Sequence, residues 1–183
     1  MSSWSDAFWK LAATAEPPEL GPGPRPGVLD RRDLESHLDR LAAAHPIQSD
    51  AGLRLRATAL LYHDHHDPAH DLVQDLSDPD GALIHAILHR REPDYWNAKY
   101  WFRRIEMHPV YLALGQRLPT LPAPPDGQSL VRDLTLPGAF DPFAFVDLCE
   151  CVERSPADTP IVRWLRNVQQ AEFEELVTHL AAQ

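Results

Sequence analysis

Between Leu60 and Tyr111 the chain reads LLYHDHHDPAHDLVQDLSDPDGALIHAILHRREPDYWNAKYWFRRIEMHPVY, and seven of the ten histidines fall there: His63, His65, His66, His70, His85, His89 and His108. Imidazole titrates near neutrality and is the commonest metal-binding side chain, so this run is suited to proton transfer or metal ligation. The same segment carries five aromatic residues within eight positions (Tyr95, Trp96, Tyr100, Trp101 and Phe102) and five cations, Arg90, Arg91, Lys99, Arg103 and Arg104. Packing alone does not require such crowding, and any chemistry or binding is expected here.

On a helix that follows Asp78-Pro79, a 100° step per residue puts His89 about 40° from His85 and Glu92 about 20° to the other side, so the three share one stripe. Two histidines four apart on a helix can hold one metal ion, as in the zinc metalloprotease motif. That motif needs a glutamate directly after its first histidine; Ala86 stands there, so the protease reading lacks its general base. Glu92 is left as a third ligand or as a base. Upstream, Pro68 is expected to interrupt the helix near His66, with Asp67 capping the next one and His70 one turn further on. Asp67 and His70 are three apart, a spacing that serves metal-binding acid and histidine pairs in some helical bundles. An antiparallel packing of the two helices would bring His70 to face His85 and His89. The expected metal set is therefore His70, His85, His89 and Glu92 with zinc or iron, and the expected catalytic set is His70, His85 and Glu92. A metal-free polar pocket using histidine as acid or base competes with it, as does a purely structural role.

Pro93 ends one helix and Asp94 is placed to cap the next. From there Asn97, Tyr100 and Arg104 fall on one stripe with Trp101 at its border, while Lys99 and Arg103 form a second, cationic edge. Guanidinium groups among aromatic rings suit an anionic or planar ligand. The expected substrate-binding residues are Arg90, Arg91, Asn97, Lys99, Tyr100, Trp101 and Arg104. In the competing arrangement the arginines pair with surplus acids, Arg90 with Asp94 for example.

The elements that must position these groups are helices. Asp67-Pro68, Asp78-Pro79, Asp141-Pro142 and Thr159-Pro160 each place a capping oxygen before a proline. Proline loses nothing at the first helical position, where the amide is unpaired anyway. Apolar stripes agree: Trp4, Phe8, Leu11 and Ala12; Leu34, Leu38 and Leu41; Ile161, Trp164, Leu165, Val168, Phe173 and Leu176. No strand pair with a hairpin turn is evident. The fold expected is all-α, a single-domain bundle of 6–8 helices over residues 1–183, with residues 1–29 as an N-terminal helix plus a proline-rich arm. Residues 17–26 and 119–125 are too rich in proline for regular helix and are expected to run as extended connectors. The first helix, with Trp4 and Phe8 as anchors, is expected to dock back on the domain and not on a membrane, because its polar face is not lysine-rich.

The net charge of −10 and pI of about 5.4 argue against a dedicated nucleic-acid binder. Only Lys10 and Lys99 are lysines. Cys149 and Cys151, one residue apart on an apolar helix, point to opposite sides and are not expected to pair; with Phe145 and Val146 nearby, both are expected in the core. With no basic segment leading into an apolar run and no apolar stretch of about 20 residues, a cytoplasmic location is expected. Ser129 and Ser155 have no glycine elbow, and no phosphate-cradling glycine loop occurs.

The run from His85 to Tyr111 resembles the signature of a family of small uncharacterised proteins, and Asp67-Pro68-Ala69-His70 resembles the acid-x-x-His step that precedes it. The resemblance implies no activity, cofactor or fold. The leading functional expectation is a small-molecule enzyme, metal-dependent and hydrolytic, acting on an anionic substrate. A non-catalytic binding protein for a small carboxylated or phosphorylated ligand and a protein-interaction module are the alternatives. Convergence of His70, His85, His89 and Asn97, with one of Arg90, Arg91 and Arg104 at the rim, is the geometric test.

Overall fold

The computed structural model describes residues 4–45, 47–124 and 127–183. Helices account for 66% of it, so the chain is all-α in class. Their order is α1 Trp4–Ala12, α2 Arg31–Ala44, α3 Ser49–Tyr62, α4 His66–Val73, α5 Pro79–Arg91, α6 Tyr95–Phe102, α7 Pro109–Arg117, α8 Gly127–Asp133, α9 Pro142–Val152 and α10 Pro160–Leu180. The ten helices among the described residues exceed the expected 6–8 because α4, α6 and α8 span only seven or eight residues. Two turns of helix carry too little periodicity to stand out from their neighbours.

A two-stranded ladder was not expected and is present. β1 Thr135–Leu136 pairs antiparallel with β2 Ala139–Phe140 across Pro137-Gly138. Gly138 sits at φ +79°, the conformation a Pro-Gly turn demands at its second central position. Gly115 of α7 lies against β2 so closely that an added Cβ would fall 2.6 Å from the backbone of Ala139.

At the centre lies α5. Every residue from Gly81 to Arg91 is buried, so it is not amphipathic and is enclosed on all sides. It packs against α6, α4 and α3, and α10 closes the bundle over α7 and α3. The capping residues do as their types require at Asp78 (from Gly81 N, 3.0 Å), Asp94 (from Asn97 N, 3.2 Å) and Asp141 (from Phe143 N, 2.9 Å). Thr159 occupies its cap position without a side-chain bond. Asp67 is not a cap: α4 begins at His66, with Pro68 inside its first turn. The cause is Asp64, which turns the chain at φ +65° and is fixed there by Arg25 and Arg91. Pro68 is tolerated because amides of a first helical turn have no intrahelical acceptor.

The arm at 17–26 is an extended strap. Its carbonyls are held by side chains of the bundle: Pro17 by Arg166 (2.6 Å), Glu19 by Gln169 (2.9 Å) and Arg91 (3.2 Å), and Gly21 by Arg91 (3.3 Å). In the 119–125 segment Leu118–Thr120 form a 3-10 turn, and Pro125 lies outside the described residues. Phe8 is buried and Trp4 Nε1–H donates to His45 O at 3.2 Å, so α1 docks on the bundle. Cys149 is buried in the core, but Cys151 is exposed, as two residues on opposite sides of one helix must be.

Candidate metal centre

On the buried helix α5, His85 and His89 lie one turn apart with rings stacked at 4.7 Å and 21°. Across from them α4 contributes His70, whose ring meets His85 edge-on at 4.7 Å and His89 at 5.7 Å. One ring nitrogen from each of His70, His85 and His89 lies within 4.8 Å of the others. The turn at Asp64 makes this possible: it sets α4 back along α5, so that the one-turn histidine pair of α5 faces His70.

The nitrogens are not equivalent. His89 Nδ1 lies 3.1 Å from Glu92 Oε2, and that bond is the main cause holding the Glu92 carboxyl below its ordinary value. An ionised acceptor there fixes the proton on Nδ1, so Nε2 carries a lone pair. Asn97 Nδ2–H donates to that lone pair at 3.1 Å. His85 differs: both ring nitrogens are buried and have no hydrogen-bond partner. Burial, then the neighbouring His89 and His70, push its pKa down to about 4, so the ring is neutral at pH 7 with a free lone pair.

The α6 aromatics cover this cluster. Trp101 stacks on His85 at 4.0 Å and 20°, and the Arg104 guanidinium lies 5.4 Å from the Trp101 ring. Arg104 also donates to Tyr100 Oη at 3.1 Å. Tyr100 stacks in turn on Trp96, which is 74% exposed. On the opposite flank a cleft of about 430 Å³ between strap residues 22–24 and the 64–68 turn reaches Glu92.

The structure therefore brings together His70, His85, His89, Glu92, Asn97 and Trp101, with Tyr100 and Arg104 at the edge. Three expected binding residues lie elsewhere. Arg90 is fully buried, bonded to Glu172 and, at 3.3 Å, to Gln169, with its guanidinium over the Phe145 ring; it does not pair with Asp94. Arg91, equally buried, ties Asp64 and the strap to α5. Lys99 is turned toward α9, where it pairs with Asp147. Both arginines are spent on structure because α5 is enclosed on all sides, and a buried guanidinium requires an acid and carbonyls around it. Glu92, expected as ligand or base, instead supports His89 from its outer nitrogen.

Of the upstream histidines, His63 is structural. It accepts from Leu29 N at 3.0 Å and donates through Nε2 to Ala12 O at 2.9 Å, and burial pushes its pKa down to about 4. His65 donates to Leu29 O.

A second cluster escaped the sequence. Asp80 Oδ1 accepts from His108 Nε2 at 2.9 Å and His179 Nε2 at 2.8 Å, while Gln183 donates to Oδ2 at 2.8 Å. Nothing local marks His179, which is 99 positions from Asp80. His108-Pro109 was a usable signal, since it repeats the cap-then-proline pattern: His108 Nδ1 accepts from Val110 N at 3.2 Å.

The fold and site thus define an all-α chain with a three-histidine cluster in which His85 and His89 are buried and His70 is half-buried. Compared with family models, with curated proteins and with solved structures, it has no match. Among the described residues no helix is long and apolar enough to cross a membrane.

Proposed function

We propose that the protein is a metal-dependent enzyme, hydrolytic in class, in which His70, His85 and His89 bind zinc or iron and a small anionic substrate completes the coordination. The observation that carries this is His85: a neutral imidazole, 3% exposed, with two unpartnered nitrogens, one of them within 4.8 Å of a ring nitrogen on each of two further imidazoles. An unsatisfied buried polar group costs about 1–3 kcal/mol, and a metal ion removes that cost. With zinc–nitrogen bonds of about 2.0–2.1 Å, small ring rotations bring three such nitrogens onto one ion. The Glu92–His89 bond is the carboxylate–histidine support that orients metal ligands.

Three protein ligands leave a fourth position, the pattern of zinc sites that activate water rather than only brace a fold. Arg104 and the rings of Trp101 and Tyr100 would supply the cationic edge for an anion. Elemental analysis of protein purified without chelator tests the reading, together with thermal unfolding under added zinc. Bound zinc or iron, and a melting temperature raised by zinc in the wild type but not in His85→Ala, is expected. No metal and no shift would remove it.

The exposed Trp96–Tyr100 pair favours a second reading, an interaction module, since aromatics and arginine dominate binding hot spots. That surface would then work whether or not the ion is bound.

A further inference from the structure

In the arrangement described, one of the three metal-facing lone pairs is already occupied. Glu92 keeps the proton on His89 Nδ1, and Asn97 Nδ2–H takes up Nε2 at 3.1 Å. We propose that Asn97 holds the ion's place on His89 Nε2, yielding that lone pair when the ion binds and then donating the freed Nδ2–H to a carboxylate at the fourth coordination position. This rests on the three-histidine metal reading and adds to it a ligand class and the residue that recognises it.

An ion that takes Nε2 displaces the amide hydrogen now on it. That donor is half-buried and is left free to pair with a ligand on the ion. Asn97 cannot swing far, because its backbone amide is held by the Asp94 cap at 3.2 Å and the next residue, Ala98, is buried in the core. In a tetrahedral site with bonds of about 2.0–2.1 Å, neighbouring ligand atoms lie about 3.4 Å apart. A fourth ligand thus sits about as far from Nε2 as Asn97 Nδ2 does now, and the two are within hydrogen-bond reach after a rotation of the side chain alone. A carboxylate suits both demands, with one oxygen on the ion and the other accepting Nδ2–H. His85 offers its one lone pair without displacing anything, so this exchange falls on His89.

Cobalt(II) as the ion and acetate as the probe test this, both read from the visible cobalt spectrum of the full chain. Asn97→Ala removes the competitor for Nε2 and should bind cobalt about threefold to tenfold more tightly than the wild type. The same cobalt-loaded variant should bind acetate about tenfold more weakly. Asn97→Asp carries its own carboxylate, and should bind cobalt more tightly still while excluding acetate. A residue that merely braces the site would weaken cobalt binding when removed. Weaker cobalt binding by Asn97→Ala, or unchanged acetate affinity, overturns the role of Asn97 and leaves the metal reading intact. A wild type that takes up no cobalt overturns both.

Discussion

Asp80 stands in the first turn of α5, His85 in its middle and His89 in its last turn, so one helix feeds two groups of imidazole and carboxylate, with Asp80 and His85 about 7.5 Å apart along its axis. Each has three candidate ligand atoms within the same span. They differ in where the protons are. In the Asp80 cluster His108 Nδ1 receives the Val110 amide, so its proton must be on Nε2, and Nε2–H is given to the carboxylate. That nitrogen has no lone pair for an ion. At His70, His85 and His89 the accounting runs the other way: two nitrogens of His85 are unspent, and the carboxylate is on the outer side of His89. Proximity of ligand types does not separate a metal site from a polar clasp; the tautomer fixed by surrounding bonds does.

The largest expected difference is in metal uptake. His85→Ala should lower zinc affinity on the order of 10² or more by deleting a proposed ligand, whereas His108→Ala should leave it within a factor of a few; dialysis with metal analysis of both variants compares them. Equal losses would erase the distinction drawn between the clusters.

Stability should show the reverse. Asp80→Asn removes the charge on which two imidazoles and Gln183 converge, and should cost about 2–3 kcal/mol in denaturant unfolding while zinc stoichiometry is retained. Next in size is Glu92→Gln, which leaves His89 without its anionic support; zinc affinity should fall about tenfold to a hundredfold.

The last effect is in pH. His85 folds with a pKa near 4 against an ordinary 6.5, so the unfolded chain binds the extra proton between these values. Its contribution to stability is full above about pH 6.5 and is lost as pH falls toward 4, and His63 adds a change of the same sign. Asp80, also held below its ordinary 3.8 by bonds from His108 and His179 against the cost of burial, contributes above that value and loses its share only in stronger acid. Metal-free wild type should therefore lose stability between pH 6.5 and 4 more steeply than His85→Ala does. Identical slopes in urea titrations would show that His85 is not buried neutral.

The helical class and the meeting of His85, His89 and Asn97 were legible because both are local: caps before prolines, one-turn spacing, and a proline that folds α6 back. His70 also came out where expected, although by a different route, since Asp64 and not Asp67 makes the turn. What could not be read was the fate of charge. Arg90 and Arg91 look like ligand-binding cations in a run of arginines, and only the enclosure of α5 by Glu172, Asp64 and the strap turns them inward. The Asp80–His179 contact joins the two ends of a long chain segment, and no periodicity reports such a pair.

The strap has a consequence for how this chain can vary. The bundle grips it mainly by backbone oxygens at Pro17, Pro18, Glu19 and Gly21, which every residue type possesses. Its exposed side chains are therefore free to drift as long as the path stays extended; the exceptions are Pro18, which is buried, Glu19, which pairs with Arg166 at 3.4 Å, Leu20, which packs on the core, Arg25, and Gly23, where a Cβ would fall 2.6 Å from the Asp64 carboxylate. Deletion is another matter, because Arg91 and Gln169 would be left facing an empty channel. The segment behaves as an inhibitor peptide would in the cleft of another protein, tethered here to its own receptor: tolerant in spelling, strict in length.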